Sequence, residues 1–160
     1  MRKLLVIVLL GLSSLSWAAT ITSKPSLGAV DATVGSNWVG NVAPSSSDDA
    51  VGANGTTLQI PVGQTVTWHS YSCATVSGSG ALAINGTLTL STNSTYCQSV
   101  TGGPDGRLNL SAGVTLLPSQ AGADLAFTGT SGHPFIMTGP SAGSLAGAIN
   151  ATVNSSYTTF

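Results

Sequence analysis

Three leucines set the frame of this chain. Leu58, Leu82 and Leu108 each open an apolar-x-apolar triplet, and they lie 24 and 26 residues apart. The stretches they begin, LQIPVGQTVTW, LAINGTLTL and LNLSAGVTLL, share one plan. A short apolar strand is followed closely by glycine, then by a second apolar strand carrying threonine. The segments between them also agree. CATVSGSGAL and CQSVTGGPDGRL both start with cysteine, have valine three residues on (Val76, Val100), and pass through a glycine-rich turn to the next leucine. A further copy is read at FTGTSGHPF (127–135), and a degenerate one at AGAINATVNSS (146–156).

A period of about 20–30 residues built from short strands and Gly/Asn/Ser turns is the pattern of a solenoid. No helical periodicity interrupts the strands, so each repeat reads as all β. One turn of such a chain cannot bury its own apolar face; stacking the turns builds the core. The expected fold is therefore an all-β parallel β-helix (β-solenoid) with coils of about 24–26 residues, right-handed by the steric bias of parallel crossovers. Its inward ladders would be Leu58/Leu82/Leu108, Ile60/Ile84/Leu110, Val66/Leu88/Val114 and Trp68/Leu90/Leu116. The alternative is an antiparallel β-sandwich, which also uses short strands at close spacing.

The cysteines repeat the same interval. Cys73 and Cys97 are 24 residues apart, as are Leu58 and Leu82. Equivalent residues on adjacent coils lie about 4.7–4.9 Å apart, inside the Cα separation of about 4.4–6.8 Å that a disulfide accepts. The pair is thus placed to cross-link neighbouring coils. The other readings are a ladder of buried free thiols and a redox or metal pair, the last without a CxxC or Cys/His cluster behind it.

The ends and the charge bound what the chain does. MRKLLVIVLLGLSSLSWA combines Arg2 and Lys3, a short apolar run and small residues at Ser16 and Ala18. That is a secretory signal over residues 1–18, too short for a membrane anchor. Beyond it the only cations are Lys24 and Arg107, against Asp31, Asp48, Asp49, Asp105 and Asp124. Nucleic acid and anionic membranes both call for clustered Lys and Arg, so neither fits as a partner. Residues 19–50 read as an N-terminal extension and cap, and residues 51–160 as the coils. The C-terminus, NSSYTTF, lacks a cap, so the coils read as incomplete there. Tyr157 and Phe160 are out of phase for an outer-membrane strand.

The head, GSNWVGNVAPSSSDDAV (35–51), differs from the repeats. Its Trp38, Gly40, Pro44, Asp48, Asp49 and Val51 resemble the segment that opens many bacterial secreted and cell-surface parallel β-helix repeat proteins of adhesin-like type. Asn41 stands where those proteins usually have a second glycine. With the downstream NGTLTL and SAGVTLL, the resemblance spans residues 35–117. It implies a bacterial, exported protein of this architecture. In physical terms Trp38 is large enough to cover the end of a core, Pro44 and the serines make a turn, and Asp48 can hold backbone N–H groups. Asp48 and Asp49 could instead bind Ca²⁺ or act as acid and base, but neighbours on a strand point to opposite faces.

Candidate chemistry is sparse. Asp105 and Arg107 share the turn GGPDGR, Asp124 lies in an irregular segment, and His133 precedes Pro134. These four make a weak candidate surface site, the place where a polysaccharide-active enzyme or carbohydrate-binding module would carry its chemistry. His69 has no evident partner. Walker, HExxH and GxSxG patterns are absent. Thr65/Thr67, Thr87/Thr89 and Thr115 suggest an outward threonine ladder, which also occurs in ice-binding solenoids. Gly113 breaks it. The expectation is a non-enzymatic structural or adhesive protein without a resident cofactor. It would bind glycans, surface polymers or further coils through shallow faces.

Overall fold

The computed structural model describes residues 17–74, 80–119, 123–130 and 132–138, and the backbone of 158–159. Residues 1–16 of the signal segment, Val76 with its glycine-rich turn, the degenerate copy at 146–156, Tyr157 and Phe160 lie outside the described residues.

Among the described residues the chain is all β apart from a 3-10 turn at Gly35–Asn37. It begins with β1 (Thr20–Thr22), β2 (Gly28–Asp31), β3 (Asp49–Gly52), β4 (Thr56–Ile60) and β5 (Thr65–Trp68). Next come β6 (Ser70–Cys73), β7 (Ala81–Ile84), β8 (Thr87–Leu90), β9 (Ser94–Tyr96) and β10 (Ser99–Gly102). Then follow β11 (Arg107–Leu110), β12 (Leu116–Pro118), β13 (Asp124–Phe127), β14 (Phe135–Thr138) and β15 (Thr158–Thr159). Two five-stranded sheets run β13-β10-β7-β4-β2 and β15-β14-β11-β8-β5. The third side holds β1-β3-β6 and, separately, β9-β12. Every strand pairing among the described residues is parallel, whereas an antiparallel sandwich pairs its strands the other way. Parallel strands in stacked sheets are consistent, at this coarse level, with the solenoid expectation.

The inward positions follow from strand alternation. Leu58 pairs with Leu82 and Ile60 with Ile84, and all four are fully buried. Val66 pairs with Leu88 and Trp68 with Leu90, again as the repeat predicts. The third member of each expected ladder is different. Leu82 meets Val100, 18 residues on, and Ile84 meets Gly102. Leu108 and Leu110 pair with Leu88 and Leu90 on the second sheet. Leu116 pairs with Ser94, and Val114 lies outside the strands. The cause is a change in connection length. Seven residues (74–80) separate β6 from β7, but only Cys97 and Gln98 separate β9 from β10. The next circuit therefore reaches the first sheet sooner than a fixed period allows.

Gly102 stands where an aliphatic side chain would continue Ile60 and Ile84. Its space is taken by Phe135, whose ring a Cβ at Gly102 would overlap. Phe135 stacks on Phe127, with ring centroids 4.3 Å apart. At the other end Trp38 packs edge-on against Trp68 at 5.9 Å, and Trp68 stacks on Tyr71 at 6.0 Å. Aliphatic ladders thus run between two aromatic clusters. Trp38 is completely buried, and its Nε1 donates to the Ala32 carbonyl at 3.0 Å.

The seam between β6 and β9 is built differently from the rest. No continuous ladder joins them. Instead the Tyr71 amide donates to Ser94 Oγ at 2.9 Å, and Ser94 Oγ donates to the Thr92 carbonyl at 3.0 Å. Cys73, at the end of β6, and Cys97, just after β9, are at disulfide distance across this seam, Sγ to Sγ 2.08 Å and Cα to Cα 6.1 Å.

Reduction should therefore cost about 3 kcal/mol of stability. It should speed amide exchange at Tyr71 and its neighbours more than at Leu82 or Leu88, as hydrogen exchange with and without reductant would report. Gly102→Ala should cost about 2 kcal/mol by overpacking against Phe135, measured by urea unfolding. An unchanged midpoint would show that the ring has room to move.

Candidate functional site

Of the four residues singled out by sequence, Asp105 and His133 are joined by a hydrogen bond. Asp105 follows Pro104 in the turn before β11, in a left-handed conformation (φ 63°) that Asp tolerates better than most residues. Its Oδ2 lies 2.8 Å from His133 Nδ1, in the turn before β14. Both side chains are more than half exposed. Arg107 opens β11 and is exposed, paired in register with Thr87 on one side and Ile136 on the other. Asp124 opens β13 on the first sheet, opposite Ser99. Among the described residues neither Arg107 nor Asp124 takes part in a side-chain hydrogen bond or ion pair with the other candidates.

A second histidine-carboxylate pair was not legible in the sequence. His69 Nδ1 lies 2.7 Å from Asp49 Oδ1, and Ser70 Oγ donates to the same oxygen at 2.6 Å. The parallel register of β3 with β6 sets Asp49 beside Ser70. The Ser70 hydroxyl, and then the His69 ring, hold the Asp49 carboxyl below the usual range in spite of partial burial. Asp48 is not part of β3; it sits in the turn just before that strand. Its Oδ2 accepts from the Ser45 amide at 2.8 Å and from the Ser45 hydroxyl, which also lowers its pKa. The two carboxylates thus serve different partners. The signal that could have found His69 was its 20-residue separation from Asp49, close to one circuit of the chain.

The chemistry available is limited. A carboxylate on Nδ1 orients an imidazole and leaves Nε2 facing outward. In a nucleophilic triad the serine hydroxyl engages that Nε2. Ser70 instead donates to the carboxylate, so Asp49, His69 and Ser70 do not form one. Among the described residues no three His, Cys, Asp or Glu side chains cluster as metal ligands.

The head behaves locally as its residues dictate. Gly40 and Asn41 are consecutive left-handed residues (φ 86° and 59°), a conformation that Asn accepts better than most side chains. Lys24 Nζ donates to Asn41 Oδ1 at 2.9 Å. Pro44 is buried. Between this head and β5 lies a shallow groove of about 270 Å³, lined by Ala32, Thr33, Ala43, Pro44 and Gln64–Thr67. The outward threonines form two matched pairs, Thr65 with Thr87 and Thr67 with Thr89. The next strand offers Arg107 and Asn109 rather than the expected Thr115, which precedes β12.

Asp49→Asn should cost about 1 kcal/mol at neutral pH. The folded carboxyl titrates below its unfolded value, so its contribution is complete above about pH 4 and disappears as pH falls through the folded pKa. Urea unfolding across that range should show wild type and variant converging in acid. A gap independent of pH would assign the difference to packing.

No protein-family model, curated protein or solved structure matches the chain.

Proposed function

We propose that the chain is an exported bacterial β-solenoid of right-handed parallel β-helix type. In this reading its flat faces bind glycans or other surface polymers weakly and at many points. Its role is structural or adhesive rather than catalytic, and no cofactor enters it. The observation that carries it is the in-register outer surface of the second sheet. Thr67, Thr89, Asn109 and Thr138 lie side by side on successive strands. Asn109 Nδ2 donates to Thr89 Oγ1 at 3.4 Å, so neighbouring strands share a polar network. Such a surface repeats one weak contact at each strand spacing, which suits multivalent attachment better than a deep pocket does.

Export rests on the N-terminal signal pattern. The Cys73–Cys97 pair is compatible with an oxidising extracellular compartment, and no helix among the described residues is long and apolar enough to cross a membrane. The threonine array ends after two strands, which gives an ice-binding role no added support.

The test is retention of the full chain on cellulose, chitin and peptidoglycan particles. Wild type should be retained on at least one of them. Replacing Thr67 and Thr89 together by Lys should weaken retention about tenfold without lowering the melting temperature. The proposal fails if none of these polymers retains the chain. It fails equally if soluble polysaccharide is turned over and the Asp105→Ala or Asp124→Ala variant abolishes the turnover.

A further inference from the structure

The two ends of the second sheet are not equivalent. The first sheet continues past β4 to β2, and the third side continues past β3 to β1. The second sheet stops at β5. The head passes over the core there, with Trp38 buried against Trp68, yet it adds no strand to β5.

The hydrogen bonds show which groups are left over. Thr87 N donates to the Gln64 carbonyl at 2.8 Å, and Ser91 N to the Trp68 carbonyl at 3.2 Å. A parallel ladder alternates its bonding direction residue by residue. Gln64, Val66 and Trp68 therefore turn their backbone groups toward β8, and Thr65 and Thr67 turn theirs to the open edge. Among the described residues nothing bonds the backbone of Thr65 or Thr67 on that side. The same two residues line the groove of about 270 Å³ beside Ala32, Thr33, Ala43 and Pro44. No charged residue lines it. Val34, Val42 and Val62, each within two residues of a lining position, are exposed.

We propose that this edge is a strand-addition site, and that its occupant is an extended, uncharged peptide segment from another protein. Two donors and two acceptors spaced two residues apart are matched by the main chain of a strand. The uncharged walls suit small or β-branched side chains, and exposed valines offer apolar contact to alternate ones. Charged ligands find no counter-ion in the groove. A second copy docking by its own β5 would bring its head into the same space, because the head flanks β5 in every copy. A separate peptide carries no such bulk.

The probe is an acetylated, amidated heptapeptide of alternating Thr and Val, added to the full chain labelled with ¹⁵N. The amides of Thr65 and Thr67 should shift saturably and gain protection from exchange, while those of β11 stay unchanged. N-methylation of alternate peptide amides should weaken binding about tenfold with the protein unaltered. Thr67→Pro, which removes one outward donor at an edge position where proline is tolerated, should do the same. The proposal is overturned if the heptapeptide leaves Thr65 and Thr67 unperturbed, or if N-methylation leaves its affinity unchanged. It is also overturned if sedimentation reveals a dimer that Thr67→Pro dissolves, since the occupant is then a second copy. Each readout concerns the edge of β5, so it succeeds or fails independently of polymer binding by the outer faces.

Discussion

Everything in this molecule depends on one circuit of chain lying in register on the next. A single circuit offers a few inward side chains and no second layer to cover them. Leu58, Leu82, Val100 and Leu125 are buried because each lies beside the others in one column. Burying an aliphatic side chain of this size contributes about 1.5–3 kcal/mol, which is gained only when the neighbouring circuit is present. The backbone ladder supplies the register, and the register decides which side chains meet. A slip of one residue would exchange the inward leucines for outward threonine and alanine. Cooperativity between neighbouring circuits follows from that coupling, with no tertiary layer needed beyond it.

The sequence revealed the first two circuits well and the third poorly, for a definite physical reason. Leu58/Leu82, Ile60/Ile84 and Cys73/Cys97 repeat in type at a spacing of 24 residues, Val66/Leu88 and Trp68/Leu90 in apolar character at 22, and each pair is found side by side. In the third circuit the column of Ile60 and Ile84 passes through Gly102, and the missing bulk comes from Phe135 on a later strand. A glycine filled from elsewhere has no signature in a pattern of apolar positions. The nearest leucine-x-leucine, at 108–110, imitates the missing strand and belongs to the second sheet. The Asp49–His69 contact was hidden for a related reason. It depends on the register of β3 against β6, and β3 lies in the head, outside the recognisable repeat. Of the residues first suspected of chemistry, Asp105 and His133 do meet, because turns of successive circuits stack as the strands do.

At one seam side chains join circuits where the backbone does not. Between β6 and β9 the ladder is interrupted, and Ser94 Oγ receives the Tyr71 amide in place of a carbonyl. The cysteine pair crosses that same seam. Asp49 with His69 and Ser70, and Asp105 with His133, likewise tie segments 20–28 residues apart. In a chain with so few charges, most of the aspartates are committed to such local or cross-circuit contacts. On the outer face of the second sheet the hydroxyl and amide groups of Thr67, Thr89, Asn109 and Thr138 share the surface with Arg107.

The open edge of β5 shows that covering a core and covering a sheet edge are separate problems. Trp38 solves the first, since one large ring closes the apolar column above Trp68. The second requires hydrogen-bonding groups at strand spacing, which β1 and β2 provide for two sides of the molecule. On the remaining side the head runs through the left-handed Gly40 and Asn41 and the buried Pro44, a path that cannot lie flat as a strand against β5. An exposed edge invites indiscriminate pairing, and a groove between the head and β5 restricts what can reach it. The irregular head is thus what turns a liability of stacked parallel sheets into a selective surface.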